Sequence, residues 1–119
     1  MLLQERLEIA KTTINPIDCY AAAFYLTGII DEERFLTCNE ISRYLANLSV
    51  INHPEIGCLV HFWNGSFGHI GVITHLNPIR ITDRHGIQGE IRENQLLPDV
   101  MLEYGGLDIL TLYLTPKPI

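Results

Sequence analysis

The chain has no CxxC pair, no cluster of lysine and arginine, and no long apolar run. Each absence closes off a class of protein. Its three cysteines, Cys19, Cys38 and Cys58, are odd in number and well separated, so no disulfide framework is written into the sequence. With 14 acidic against 8 basic side chains and a net charge of −6, it lacks the electrostatic footprint of a nucleic-acid binder. No stretch approaches the ~18 apolar residues of a membrane-spanning helix. The first residues, Met1-Leu2-Leu3-Gln4-Glu5-Arg6-Leu7-Glu8, carry acids where a secretory signal has a basic segment followed by an apolar run. The expectation is a soluble protein made in the cytoplasm, with export by a route that needs no cleaved signal left open.

What is present describes one compact domain over residues 1–119, with 47% hydrophobic and 18% charged side chains. Helical patterns come first. Leu2 to Thr12 reads as a short amphipathic helix. Asn15 to Gly28 reads as a second, with Asn15 at the cap, Pro16 at the first helical position and Gly28 as terminator. Asp31 to Leu36 reads as a single turn whose acids, Asp31-Glu32-Glu33, form a solvated helix start. Thr37-Cys38-Asn39-Glu40 has the capping-box pattern and opens a helix carrying Ile41, Tyr44, Leu45 and Leu48, with Cys38 taken as structural.

After His53-Pro54 the pattern changes to strands. Cys58 to Trp63, His69 to Thr74, Ile79 to Asp83, Gly89 to Arg92 and Leu107 to Thr115 are separated by Asn64-Gly65, Asn77-Pro78, Arg84-His85-Gly86 and Gly105-Gly106. Leu96 to Leu102 is ambiguous around Pro98. Helices followed by antiparallel strands with short turns make an α+β domain, with N-terminal helices packed on a sheet of about five strands.

Cys19 falls in the first turn of the second helix, close to unpaired backbone N–H groups that favour a thiolate. It also lies on one face with Ala22, Ala23 and Leu26, where a cysteine is ordinarily a small core residue. Catalysis would require a histidine to take the thiol proton and a third polar group to orient that ring. Of five histidines, His69 is best placed, at the start of a strand whose Gly71 lets another element approach. Asp83 on the neighbouring strand is the natural third group, with His85 as the alternative. Thr82 points to the opposite face from Asp83. Asp18 and Tyr20 beside the cysteine, with Trp63 and Phe67 flanking the Asn64-Gly65 turn, are candidate substrate contacts.

These residues resemble the NlpC-type cell-wall peptidases, a branch of the papain-like cysteine peptidases. Asp18-Cys19 opening a helix that ends in Tyr25-Leu26-Thr27-Gly28 is similar to the family's aspartate–cysteine helix. Ile56-Gly57-Cys58-Leu59-Val60-His61-Phe62 resembles its glycine–aspartate–leucine–valine–phenylalanine strand, and Gly68-His69-Ile70-Gly71-Val72-Ile73 its histidine strand. Thr82-Asp83-Arg84 falls near its third polar position. Departures are clear: Tyr20-Ala21 replaces the usual serine and glycine, and Cys58 replaces an aspartate. The segment that often precedes the nucleophile has no match before Asn15.

The resemblance implies a papain-like fold and cleavage of an amide bond, typically in the peptide stems of peptidoglycan, through a thioester on Cys19. Such chemistry requires no metal or organic cofactor. A peptide or a peptidoglycan fragment would be the substrate, reached by export, within a larger assembly such as a secretion system, or as internalised wall fragments. An acyltransferase would share the first half-reaction. The main rival is a binding or assembly module of the same fold with Cys19 and His69 merely packed. A weaker one is a metal site of His61, His69, His75 and a cysteine, in which His61 and His69 face each other across a hairpin without HxH or HExxH spacing.

Overall fold

Residues 70–73 alternate their side chains between two apolar environments, and that alternation organises the molecule. In the computed structural model, which describes residues 3–14, 16–65, 68–86 and 88–116, this segment lies in a central strand of a six-stranded sheet. The strands are β1 (Ser49–Ile51), β2 (Leu59–Trp63), β3 (Gly68–His75), β4 (Arg80–Arg84), β5 (Ile91–Leu96) and β6 (Leu110–Thr115), in spatial order β1-β6-β2-β3-β4-β5 with every neighbouring pair antiparallel. The helices are α1 (Leu3–Lys11), α2 (Cys19–Leu26), α3 (Cys38–Ala46) and α4 (Leu97–Tyr104).

Ile70 and Val72 pack with Leu59, Leu114, Leu7 of α1 and Phe24 of α2 in one cluster. Ile73 packs with Val60, Phe62, Ile81 and, from α4, Leu97 and Val100 in another. The sheet therefore has α1 and α2 on one face and α4 on the other, with period-two side chains feeding both cores. The chain is α+β, as its pattern of elements implied, with six strands where about five were expected. Three-residue β1 carries too little alternation to be read.

α2 starts later than its sequence suggested. Asp18 has extended backbone (φ −150°) and its Oδ1 accepts from the Ala21 N–H at 2.9 Å, so Asp18 is the cap and Cys19 the first helical residue. Pro16 is compatible with a first helical position but does not impose one; an aspartate able to close the first turn does. Asn15 lies outside the described residues. At the other end, Gly28 (φ +81°) takes the left-handed conformation that favours glycine, with Gly28 N–H on Tyr25 O and Ile29 N–H on Phe24 O.

The capping box at Thr37 is complete, with Thr37 and Glu40 each accepting from the other's backbone N–H at 3.1 Å. Cys38 is exposed rather than part of the packing. Residues 31–36 form no helix, and Glu33 is not a solvated acid: its carboxylate takes Arg84 Nε at 2.7 Å and Nη2 at 2.8 Å, both side chains almost wholly buried. Arg84 also donates to Ala10 O and Gly89 O, which ties α1 and the loop after β4 to the chain before α3. The ambiguous stretch around Pro98 is helix α4, with proline in its first turn, where its missing N–H costs nothing.

Candidate active site

His69 begins β3 and is 1% exposed. Its Nε2 lies 2.7 Å from Oδ2 of Asp83, which is itself buried on β4. Arg92, paired across β5 with Asp83, grips the same carboxylate from Nε (3.0 Å to Oδ1) and Nη2 (2.8 Å to Oδ2). Its Nη1 spans both oxygens of Glu103 at 2.9 and 2.8 Å. Burial pushes the Asp83 carboxyl up, but hydrogen bonds from His69 and Arg92 outweigh it and hold its pKa below the usual carboxylate value. An ionised Asp83 only accepts, so the imidazole donates through Nε2 and its neutral form leaves Nδ1 unprotonated.

Two aromatic rings run parallel to that imidazole: Tyr104 with centroids 3.8 Å apart and planes 4° from parallel, and Phe62 at 6.2 Å and 7°. Asp83 is the group joined to His69. His85, the alternative third residue, is exposed and its Nδ1 instead meets the Tyr104 hydroxyl at 3.3 Å. Thr82 turns to the opposite face, where its Oγ1 meets Thr74 Oγ1.

Cys19 approaches from the other side of the sheet. The pairing Phe62↔His69 and His61↔Ile70 puts His69 on the α4 face and Ile70 on the α2 face. The described pairing of β3 with β4 stops at Val72↔Thr82, so Ile70 sits where the two strands have parted. There its backbone lies near enough to the Cys19 sulfur to favour the thiolate. Among the described residues no hydrogen bond joins the Cys19 thiol to His69; it is the backbone of the next residue, Ile70, that favours its ionised form.

The expected thiolate is not the resting form. Cys19 is 7% exposed, and burial pushes its thiol up to about 12. The Ile70 and Cys19 N–H groups work against that shift, while the charges of Asp18 and Asp83 add to it. Desolvation in an apolar core outweighs a helix N-terminus here.

Tyr20 continues the α2 side. Its hydroxyl lies 2.8 Å from Nε2 of His61, and the two rings meet edge-on. Both sit over Gly68, where an added Cβ would collide with the Tyr20 hydroxyl. Burial, then the nearby His69, lowers the His61 pKa, and burial raises that of Tyr20, so both are neutral. His61 and His69 thus occupy opposite faces instead of facing each other across the hairpin. Among the described residues no group of three or more His, Cys, Asp or Glu could hold a metal ion. His75 is exposed, its Nδ1 on Pro78 O.

Of the candidate substrate contacts, Asp18 is spent on the helix cap, Tyr20 is half-buried against His61, and Trp63 is 44% exposed at the end of β2. Phe67 lies outside the described residues. Sequence reading missed Arg92, Glu103 and Tyr104. Arg92 directly opposite Asp83 is a cross-strand charge pair, visible only once β5 is in register. Glu103 and Tyr104 needed α4, whose signals were Pro98 near its start and Gly105 at its end. Among the described residues no helix is long and apolar enough to cross a membrane. Compared with protein-family models, with curated proteins and with solved structures, the chain matches none.

Proposed function

We propose that the chain is a cysteine hydrolase of amide bonds, papain-like and of NlpC type, acting on peptidoglycan stem peptides or a related peptide. The observation that carries this reading is the buried His69–Asp83 pair, held by Arg92, on the strand whose next residue, Ile70, lies beside Cys19. Burying an ionised carboxylate beside an imidazole is costly, and an apolar pair would stabilise the fold as well. The arrangement gains its sense from proton transfer.

In this mechanism Nδ1 of His69 takes the Cys19 proton as Sγ attacks the substrate carbonyl carbon. The Cys19 backbone N–H, at the start of α2, donates to the developing oxyanion. The imidazolium, stabilised by Asp83, passes its proton to the leaving amine, and a thioester remains on Cys19. Water, giving its proton to His69, attacks the thioester and releases the acid with the thiol restored. A second acceptor in place of water would make the same site an acyltransferase.

A second reading has its own support. Cys19 is buried with a raised pKa, as suits a packed thiol in a binding or assembly module. Iodoacetamide labelling against pH separates the two, with exposed Cys38 as internal reference and His69→Ala for comparison. A hydrolase labels at Cys19 near neutral pH, faster than a thiol of such high pKa permits, and loses this in the variant. If Cys19 stays inert to pH 10 in both proteins, the hydrolase reading fails and the binding module takes its place. Hydrolysis of stem-peptide fragments by the natural chain but not by Cys19→Ala would then identify the substrate.

A further inference from the structure

Glu103 and Tyr104 are consecutive residues in the last turn of α4, and each reaches the His69–Asp83 pair by a different route. Tyr104 lays its ring on the imidazole, and its hydroxyl is met from outside by His85 Nδ1. Glu103 holds two bonds from Arg92, whose other two bonds hold Asp83. Gly105 then ends the helix at φ +156°, and its neighbour Gly106 donates back to Met101 O, which closes the turn that carries both side chains.

We propose that this turn of α4 is a clasp that fixes the plane and the tautomer of His69, with Tyr104, Arg92 and Glu103 as positioning residues. Stacking at 3.8 Å leaves the imidazole only rotations within its own plane, and the bond to Asp83 at 2.7 Å removes those. Asp83 is held in turn by a guanidinium that Glu103 keeps from swinging to solvent. The result is an Nε2–H imidazole whose Nδ1 has one direction in which to accept a proton. The role assigned to this Nδ1 rests on the proposed hydrolase chemistry; the clasp itself does not. The charged and titratable groups around the ring are Asp83 on β4, Arg92 on β5, Glu103 and Tyr104 on α4, Cys19 on α2, His61 on β2 and His85 after β4.

The test is ring nitrogen–proton correlation spectroscopy on the full chain, uniformly labelled with nitrogen-15, with His69 assigned by its loss in His69→Ala. The natural protein and Tyr104→Phe, which keeps the ring, are expected to give one sharp Nε2–H pattern for His69. Tyr104→Leu is expected to give broadened or mixed tautomer signals, with neutral-pH labelling of Cys19 slowed about tenfold, the scale of one lost ring stack. Glu103→Gln, an exposed and near-isosteric change, is expected to speed solvent exchange of the Arg92 Nε proton. Unchanged His69 signals in Tyr104→Leu overturn the stacking half of the clasp, and unchanged Arg92 exchange overturns the other half. If the signals do change while Cys19 labels identically with and without His69, the clasp stands and the hydrolase reading falls.

Discussion

On the α4 face of the sheet, His69 and Asp83 belong to a chain of charges running through Arg92 to Glu103 at the surface. On the α2 face, Cys19 and Tyr20 lie among apolar side chains, and each is held neutral by burial. The two faces share one strand and meet where β3 parts from β4. Their contrast shows how a small domain buries reactive groups. Where an ion is buried, every oxygen of it is matched; where matching is absent, the group stays protonated. Under the proposed chemistry the base is prepared in advance, and the nucleophile is ionised only when its proton has somewhere to go.

The contrast is broken most directly at Asp83. Asp83→Asn removes the charge that answers both Arg92 and the His69 N–H, and a buried partner left alone typically costs about 3 kcal/mol or more. Urea denaturation is expected to show a loss of that size near pH 7. The pH dependence supplies an independent check. Because the folded Asp83 carboxyl titrates below its unfolded value, its contribution is present above about pH 4 and is lost as pH falls through the folded value. The natural protein is therefore expected to lose stability on acidification toward pH 3 more steeply than Asp83→Asn. Parallel acid limbs would mean that the carboxylate is not stabilised by its neighbours.

The α2 face predicts the mirror image at alkaline pH. Burial pushes the Cys19 thiol up to about 12 in the fold, against about 8.5 unfolded, so its contribution is complete below the unfolded value and declines as pH rises toward the folded one. Between pH 8 and pH 10 the natural protein is expected to lose about 2 kcal/mol more than Cys19→Ala. Equal losses in the two would place the Cys19 thiol in a wetter setting than its 7% exposure describes.

How much of this was legible in sequence divides along the same line. Strand-like runs from Cys58 to Trp63 and from His69 to Thr74, set off by turn residues such as Asn64-Gly65 and Asn77-Pro78, revealed both central strands, and helical spacing revealed α1, α2 and α3. Within them Cys19, His69 and Asp83 could be named, because their chemistry and order along the chain are local facts. What escaped depends on tertiary register. Arg92 acquires its role only by lying opposite Asp83, and Glu33 only by meeting Arg84, 51 residues later. The state of Cys19 escaped for another reason: a helix N-terminus is visible in sequence, whereas the depth of the core that covers it is not. Asp18 shows the opposite error, since its capping side chain was in view but Pro16 drew the helix start upstream.

That misplaced start gives a smaller prediction. Asp18→Ala removes the bond to the Ala21 N–H and is expected to cost about 1 kcal/mol, the usual worth of an N-cap, measured by thermal or urea unfolding. Replacing Asp18 by Asn, which caps equally well, restores most of it. A neutral result for Asp18→Ala would return the cap to a residue upstream.

The smallest expected effect sharpens the comparison most. Tyr20→Phe deletes the hydroxyl that meets His61 at 2.8 Å and leaves the ring in place against Phe24. His61 is half-buried and neutral, so its Nε2 loses a partner without exposing a charge, and the cost is expected to be about 1 kcal/mol or less. Gly68→Ala should reach the same end by a different route, since the new methyl group occupies the place of the Tyr20 hydroxyl. Both variants are expected to leave the His69 ring signals unchanged, because the Tyr20–His61 pair and the His69–Asp83 pair lie on opposite faces of β2 and β3. A shift of those signals in Tyr20→Phe would mean that the two faces are coupled through Gly68, and that α2 helps to set the base as well as to carry the nucleophile.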